Sequence, residues 1–418
     1  MSGPLQLAFV NYKRDSYIVV EGKPNADRFF IIRQGKVRIF KDVEVVEEEG
    51  GSLLGPGDFF GVVSTMSSHS HIETAQAVTD VTLISVMRDQ YGQLIQNNTP
   101  VAMKIILQFS RRMRYLDEAL TRLTLKSNAQ EDATHLYKVA EYYTRQTQYN
   151  QAYYAYHQYI KYCPGDKNTN KARELMMKIA PYAKSVKLDY KPDEFNRLYP
   201  KDCMIFSEGE PGEELFIIQK GSVKIAKIVD NNEVLLAVLK SGDIFGEMAL
   251  LESKPRAACA VAYEDCHVMA VNRVNFERMV GTQPQIVARL TTLLAERIWF
   301  IYKQLANTLI SDPIGRMYDA LLIQLEKNKI PISSSSYTFD FGPKELVNMV
   351  GIPQTEGIQI LRKLLENKKI QILKDTEKDK IHSMNVSDIA KQTEYYRKMQ
   401  KIEKARRDGT TWNSPVVK

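Results

Sequence analysis

Two stretches of this chain carry the same alternation of apolar and polar positions. The run "GKPNADRFFIIRQGKVRIF" (22–40) lines up with "GEPGEELFIIQKGSVKIAK" (209–227). "GDFFGVVSTM" (57–66) lines up with "GDIFGEMALL" (242–251), and "VTLISV" (81–86) with "CHVMAV" (266–271). The order is kept at a separation of about 185 residues, the mark of an internal repeat. Within each copy, short runs of Val, Ile, Phe and Tyr alternate with Gly, Asp, Pro and Asn. That spacing predicts an antiparallel β-roll of jelly-roll type rather than βαβ units. The two rolls are expected over 1–99 and 185–283.

Elsewhere the apolar period lengthens to that of a helix. Residues 100–125 place Ile105, Phe109, Met113, Leu116, Leu120 and Leu123 on one stripe, within a long helix over 100–130. Residues 284–310 do the same with Leu290, Leu294, Ile298, Ile301, Leu305 and Leu309. At about seven turns of 5.4 Å the second helix outruns one small roll. It is therefore expected, over 284–311, to form the seam of a homodimer. Between the rolls, 131–184 reads as a helical hairpin insert. There Leu136, Val139, Ala140, Tyr143, Ala152, Tyr156, Tyr159 and Pro164 fall at the spacing of a tetratricopeptide repeat, which the segment resembles. A single repeat cannot bury a core alone, so the insert is expected to stack on helix 100–125. Its tyrosines serve packing, or line a groove for a protein partner. Residues 312–390 switch to helices and short strands, and a basic tail from 391 to 418 is expected to be loosely ordered. The fold class expected is multidomain α+β: two antiparallel β-rolls, a helical hairpin insert and a C-terminal winged helix-turn-helix.

Composition changes little in this picture. The chain has 418 residues, 44% hydrophobic and 26% charged, and a formal net charge of +7. These values fit an ordinary folded protein, and the mild basic surplus permits a nucleic-acid partner without requiring one. No apolar run approaches the roughly 18 residues of a membrane span, and the start lacks the pattern of a secretory signal. Cys163, Cys203, Cys259 and Cys266 show no CxxC spacing, so neither a metal site nor a disulfide framework is expected, and the compartment is read as cytoplasmic. No nucleophile–base pair or phosphate-loop motif points to an enzyme.

The chemistry concentrates in "GDIFGEMALLESKPRAACAV" (242–261). A cyclic nucleotide offers one phosphate charge with two exocyclic oxygens, a geometry that suits a guanidinium fork. Its ribose hydroxyl needs an acceptor. Gly246 would let the backbone approach, Glu247 would accept from the ribose, and Arg256 would hold the phosphate beside small Ala257 and Ala258. The run Phe245, Gly246, Glu247, Met248, Ala249 and Leu250, followed by Arg256, Ala257 and Ala258, resembles the phosphate-binding cassette of the cyclic nucleotide-binding domain family. In that family a threonine after the arginine favours the guanine nucleotide. Ala257 lacks the hydroxyl, so the resemblance implies cAMP as a regulatory ligand. The first copy carries Val62 and His71 at the acid and base positions. It reads as a blind copy, or as one with a changed ligand met by His69, His71 and Glu73.

In the last third, "FGPKELVNMVGIPQTEGIQILRKLLENKKIQIL" (341–373) reads as helix, turn at Gly351, helix. Leu346, Met349 and Val350 give one apolar face, and Ile358, Leu361 and Leu364 the other. Two strands around a charged tip follow, completing a winged pattern. This order over roughly 190–390 resembles the Crp/Fnr family of transcriptional regulators. The resemblance implies double-stranded DNA as a partner, contacted by Lys344, Gln354, Thr355, Gln359, Arg362 and Lys363. Lys374, Lys378 and Lys380 add cations for phosphates. Gln354 and Gln359 stand where the family places arginines, and glutamine pairs with adenine. The family's base-capping positions fall at Ile301 and Tyr302, and Tyr302, or Trp299 one turn away, is expected to stack on the base instead. The expectation is a cAMP-responsive, dimeric DNA-binding regulator. The alternative is a cyclic-nucleotide-responsive adaptor signalling through the insert without touching DNA.

Overall fold

The computed structural model describes residues 7–24, 26–41, 53–125, 132–183, 187–188, 190–191, 194–229, 232–352, 354–374 and 379–407. The first roll sets one four-stranded sheet against another. One sheet orders β1 (Ala8–Tyr12), β8 (Val81–Met87), β3 (Arg28–Gln34) and β6 (Phe59–Phe60). The other orders β2 (Tyr17–Val19), β7 (Thr74–Ala77), β4 (Val37–Phe40) and β5 (Leu53–Leu54). Alternate side chains such as Phe30, Ile32, Val37, Ala75 and Leu83 meet between them. In the second roll, β9 (Asn196–Tyr199), β16 (Cys266–Asn272), β11 (Glu214–Lys220) and β14 (Ile244–Phe245) form one sheet. The sheet of β10 (Met204–Phe206), β15 (Cys259–Ala262), β12 (Ser222–Val229) and β13 (Asn232–Lys240) faces it. All named pairs in both rolls are antiparallel.

The repeat extends to backbone conformation. Gly61 and Gly246 have φ of 78° and 76°, and Ser68 and Ser253 both have 56°. In each roll these two residues bracket one short helix, α1 (Val62–Ser67) and α7 (Glu247–Glu252). Left-handed φ suits glycine, which has no Cβ to clash. The serines close the helices in the same conformation.

Each roll continues into helices: α2 (Tyr91–Asn97) and α3 (Thr99–Leu125) in the first, α8 (Arg273–Thr282) and α9 (Pro284–Thr308) in the second. Here the expectation of a dimer seam on α9 is corrected. The α9 stripe Leu290, Leu294, Ile298, Ile301 and Leu305 is at most 7% exposed within one chain. It shares an apolar core with Val63, Met66, Tyr91, Leu94, Ile105, Phe109 and Leu116 of the first roll and its helices. Tyr91 Oη lies 2.9 Å from Thr291 Oγ1 across this seam. The physical reason is the repeat itself: two copies of one amphipathic helix satisfy each other in the same chain. Leu309, expected on the stripe, is 37% exposed, and the Leu123 side chain lies outside the described residues. Static light scattering without DNA is expected to return the mass of one chain, 47.9 kDa. A mass of two chains would show that another surface pairs copies.

The insert comprises α4 (His135–Arg145), α5 (Tyr149–Tyr162) and α6 (Thr169–Ile179). Ala140 and Ala152 are fully buried where α4 and α5 approach, and Tyr143, Tyr156 and Tyr159 fill the space around them. The insert does not stack on α3, as the sequence suggested. Its core takes in Met204, Ile228, Cys259 and Val261, so it covers the outer face of the second roll. That face is apolar, whereas the α3 stripe is already used by α9.

The last unit runs α10 (Pro313–Lys327), β17 (Tyr337–Thr338), α11 (Pro343–Met349), α12 (Gln354–Glu366), β18 (Ile370–Leu373), β19 (Lys380–Ser383) and α13 (Val386–Arg407). The strands order β17, β19, β18. Asp312 starts α10 by accepting from the N–H groups of Ile314 at 2.7 Å and Gly315 at 3.0 Å. Two expectations change here. Ile358 is 49% exposed, and Ile360 takes its place in the core with Leu361 and Leu364. The region beyond 391 is helical to Arg407, and Tyr396 stacks on Tyr318 while Arg397 pairs with buried Asp319. No helix among the described residues is long and apolar enough to cross a membrane.

Candidate functional site

The segment 245–258 turns from β14 through α7 into β15, and its side chains divide between buried and half-buried positions. Phe245 is 2% exposed and packs on Phe216 and Phe206, with ring centroids at 5.2 and 5.8 Å. Leu250 is buried in the seam core, and Ala249 is buried beside it. These residues build the roll. Met248, Ala257 and Ala258 are half-buried.

Arg256 is only 6% exposed. Its Nη1 donates to the carbonyls of Gly246 and Glu214, both at 2.7 Å. The guanidinium lies over the Phe206 ring at 4.2 Å. Its Nε is buried with no hydrogen-bond partner. A Cβ on Gly246 would come within 2.7 Å of Arg256 Nη1, and one on Gly212 would strike Nε and Cζ. The two glycines thus form a cradle that only a bare backbone permits. Burial lowers the Arg256 pKa, and Glu210 opposes that shift. A buried guanidinium with an idle N–H fits an anion that completes its hydrogen bonding.

Glu247 is 2% exposed, and its Oε1 accepts from Arg297 Nη1 at 3.0 Å. Arg297 Nη2 also donates to the Ile244 carbonyl at 2.9 Å. The acid expected to meet a sugar hydroxyl is therefore already tied to α9 through one oxygen. A carboxylate has about four lone-pair sites, so this bond leaves acceptor capacity.

Behind Arg256 stands Glu210, 8% exposed. Arg256 N donates to Glu210 O at 2.8 Å, and Gly209 N donates to Arg256 O at 2.9 Å. Burial, the largest influence, raises the Glu210 carboxyl to about 7, against the lowering effects of the Ser207 N–H, Arg256 and Tyr154. From the other side α3 grips the cassette. Arg114 Nε donates to Glu252 Oε2 at 3.1 Å and both its Nη atoms to Pro255 O at 3.3 Å, while Ser110 Oγ donates to Glu252 Oε1 at 2.7 Å. One turn on, Asp117 pairs with buried Lys227 of β12 at 3.3 Å.

Tyr302 and Trp299 lie against the first roll instead. Trp299 stacks on His69 of the first roll, centroids 3.9 Å apart, and Lys41 lies over Tyr302 at 4.8 Å. The reason is that α9 crosses to cover the first roll while α3 covers the second. Sequence reasoning missed Arg297, Glu210 and the α3 grip. The signal was present: Arg112 and Arg297 occupy matching places in the two helices, and Lys23 replaces Glu210 in the first copy.

The first copy is closed by its own side chains. Val62 is 3% exposed in the seam core. Glu73 Oε1 accepts from Gly61 N at 2.9 Å, at the start of α1. Its second oxygen is 3.9 Å from Arg112. The matching residue in the second roll is Ala258, which leaves that space free of a carboxylate. Burial, with help from Lys329 and Lys303, lowers His69 to about 4, so it is neutral at pH 7. No metal-holding cluster occurs among the described residues.

In the last unit Lys344 on α11 and Gln359, Arg362 and Lys363 on α12 are exposed, with Glu356 and Ile358 on the same helix. The Gln354 and Thr355 side chains and Lys378 lie outside the described residues, and Lys374 is exposed. Gly357 fits against Val347, where a Cβ would clash, so α11 and α12 pack closely.

The cyclic nucleotide-binding domain model matches residues 9–98 and 196–283. A CRP-like cAMP-activated global transcriptional regulator of Mycobacterium tuberculosis (strain CDC 1551 / Oshkosh) is 28% identical over 155 residues, 37% of this chain and 69% of that protein. The cyclic AMP receptor protein of Thermus thermophilus is 29% identical over 177 residues, 42% of this chain and 79% of that protein. The solved Thermus thermophilus catabolite activator protein shares 25% identity over 48% of this chain and 90% of its own, with a TM-score of 0.28. With both rolls matched at the residues that form them, the chain carries two cyclic nucleotide-binding domains in tandem and has Crp-type transcriptional regulators among its relatives.

Proposed function

We propose that the second roll binds cAMP and that the chain is a cAMP-responsive DNA-binding regulator of Crp/Fnr type. The observation that carries this is Arg256: a guanidinium 6% exposed, cradled by two glycines, with its Nε unpartnered. In this reading the nucleotide phosphate completes the Arg256 hydrogen bonds and the ribose hydroxyl donates to Glu247. Ala257, lacking a hydroxyl, favours cAMP over cGMP. Nucleotide contact with Glu247 loads the Arg297 ion pair, and so the position of α9. At its far end Asn307 Nδ2 donates to Arg316 O and Asp319 Oδ2, both at 2.8 Å, which ties α9 to α10. The last unit, a winged helix-turn-helix in this reading, would thus be re-aimed by the ligand.

The in-chain seam alters the DNA arithmetic. Two rolls share one winged unit, so one chain reads one major groove, with Gln354, Thr355 and Gln359 toward base edges and Lys344, Arg362 and Lys363 toward phosphates. The first roll acts as a blind partner, its cassette start held by Glu73.

Fluorescence anisotropy with duplex DNA, with and without cAMP, tests the reading. Three cations on phosphates predict a log–log salt slope of about −3, and cAMP should shift the curve. DNA binding that is absent, with cAMP binding retained, favours the adaptor reading through the insert. Absence of cAMP binding removes both.

A further inference from the structure

The insert docks on the segment that backs Arg256. Segment 205–210 lies between insert and cassette. On its inner side Glu210 and Gly209 exchange backbone hydrogen bonds with Arg256 at 2.8 and 2.9 Å. On its outer side Tyr154 of α5 donates its hydroxyl toward Glu210 Oε1 at 3.1 Å, with Oε2 at 3.2 Å and Ile205 O at 3.2 Å. Ser207 N donates to the same carboxylate at 2.9 Å. Next to it, a Cβ on Gly209 would lie 2.8 Å from Asp132 O, and His135 Nε2 stands 3.6 Å from Glu208 Oε2. Tyr154, Glu210 and Arg256 are each at most 8% exposed. Tyr154 thus reaches Glu210 through its side chain and Arg256 through the backbone pairing of Glu210, all three in a buried, low-dielectric interior where such polar contacts are strengthened.

We propose that Tyr154 is a positioning residue for the nucleotide site: by holding the Glu210 carboxylate it fixes the segment whose backbone pairs with Arg256, so insert docking and nucleotide binding are coupled. The inference rests on the reading that the second roll binds a cyclic nucleotide. Coupling is reciprocal, so a nucleotide on Arg256 tightens the insert as much as the insert tightens the nucleotide. The charged and titratable groups facing Glu210 are Arg256 from the cassette, and Tyr154 and Lys161 from α5. Tyr199 of β9 stands beyond Tyr154. Burial places Glu210 at about 7, so it ionises across the neutral range. The ionised carboxylate partly neutralises Arg256 and repels a phosphate, so affinity should fall as pH rises through 7.

The test is cAMP titration calorimetry on the full chain between pH 6 and pH 8, for wild type, Tyr154→Phe and Glu210→Gln. Tyr154→Phe is expected to weaken binding about fivefold to tenfold. Without the hydroxyl donor Glu210 is easier to protonate, so the fall in affinity should move to higher pH. Glu210→Gln should remove the pH dependence across this window. Hydrogen exchange of 132–162 should slow on adding cAMP to wild type and respond less in Tyr154→Phe. A folded Tyr154→Phe chain with wild-type affinity and pH profile overturns the coupling while leaving nucleotide binding intact. A wild-type chain that binds no cyclic nucleotide overturns the binding reading, and this inference with it.

Discussion

Arg256→Leu is expected to abolish measurable cAMP binding, at a cost of about 3–5 kcal/mol, because it leaves the nucleotide phosphate unpaired in a buried site. Titration calorimetry reads the loss directly, and unchanged affinity would place the ligand elsewhere. Stability should respond as well. Glu210 is raised in the folded chain to about 7 from 4.5. A raised carboxyl contributes stability that is fully present below its unfolded value and lost as pH rises through its folded value. Arg256 is one of the influences that holds Glu210 down, so its removal lets Glu210 rise further. The Arg256→Leu variant should therefore lose more stability than wild type between pH 6 and pH 8 in urea melts. Equal pH dependence in the two chains would show that Glu210 does not sense the guanidinium.

Leu294→Asp is expected to destabilise the chain by about 3–5 kcal/mol, since an unpaired carboxylate would enter a dry apolar seam. Leu294 is fully buried between the rolls' helices. Leu309→Asp is the matched control: this leucine follows α9 and is 37% exposed, so the change should stay within about 0.5 kcal/mol. Urea denaturation with a common m-value measures both. A Leu294→Asp chain as stable as wild type would mean that the seam does not bind the two rolls. A biphasic melt would show that the rolls unfold separately once the seam is cut.

The rolls were legible because strand alternation and positive-φ glycines are local properties, and both recur at matching places such as Gly61 and Gly246. The long helices were legible for the same reason, since a stripe like Leu290, Leu294 and Ile298 declares its own face. What the stripe covers is not local. A helix stripe looks alike whether its partner is another chain or a second copy upstream, and here the second copy supplied it. Tyr302 and Trp299 lie on the other roll for the same reason, because a helix exchanged between rolls points its polar and aromatic edge there. Arg256 stood out by its contrast with His71. Glu210 and Tyr154 did not, since their meeting depends on where the insert docks. The hydrophobicity of Ile358 points it to the core of α12, but Gly357 packs on Val347 and Ile360 is seated in the core instead.

Tethering both halves of the seam in one polypeptide fixes their encounter at every dilution. Assembly from separate subunits would make responsiveness fade as the protein is diluted below its pairing constant. Here occupancy should follow a simple hyperbola, one nucleotide per chain, with a midpoint that does not move with protein concentration.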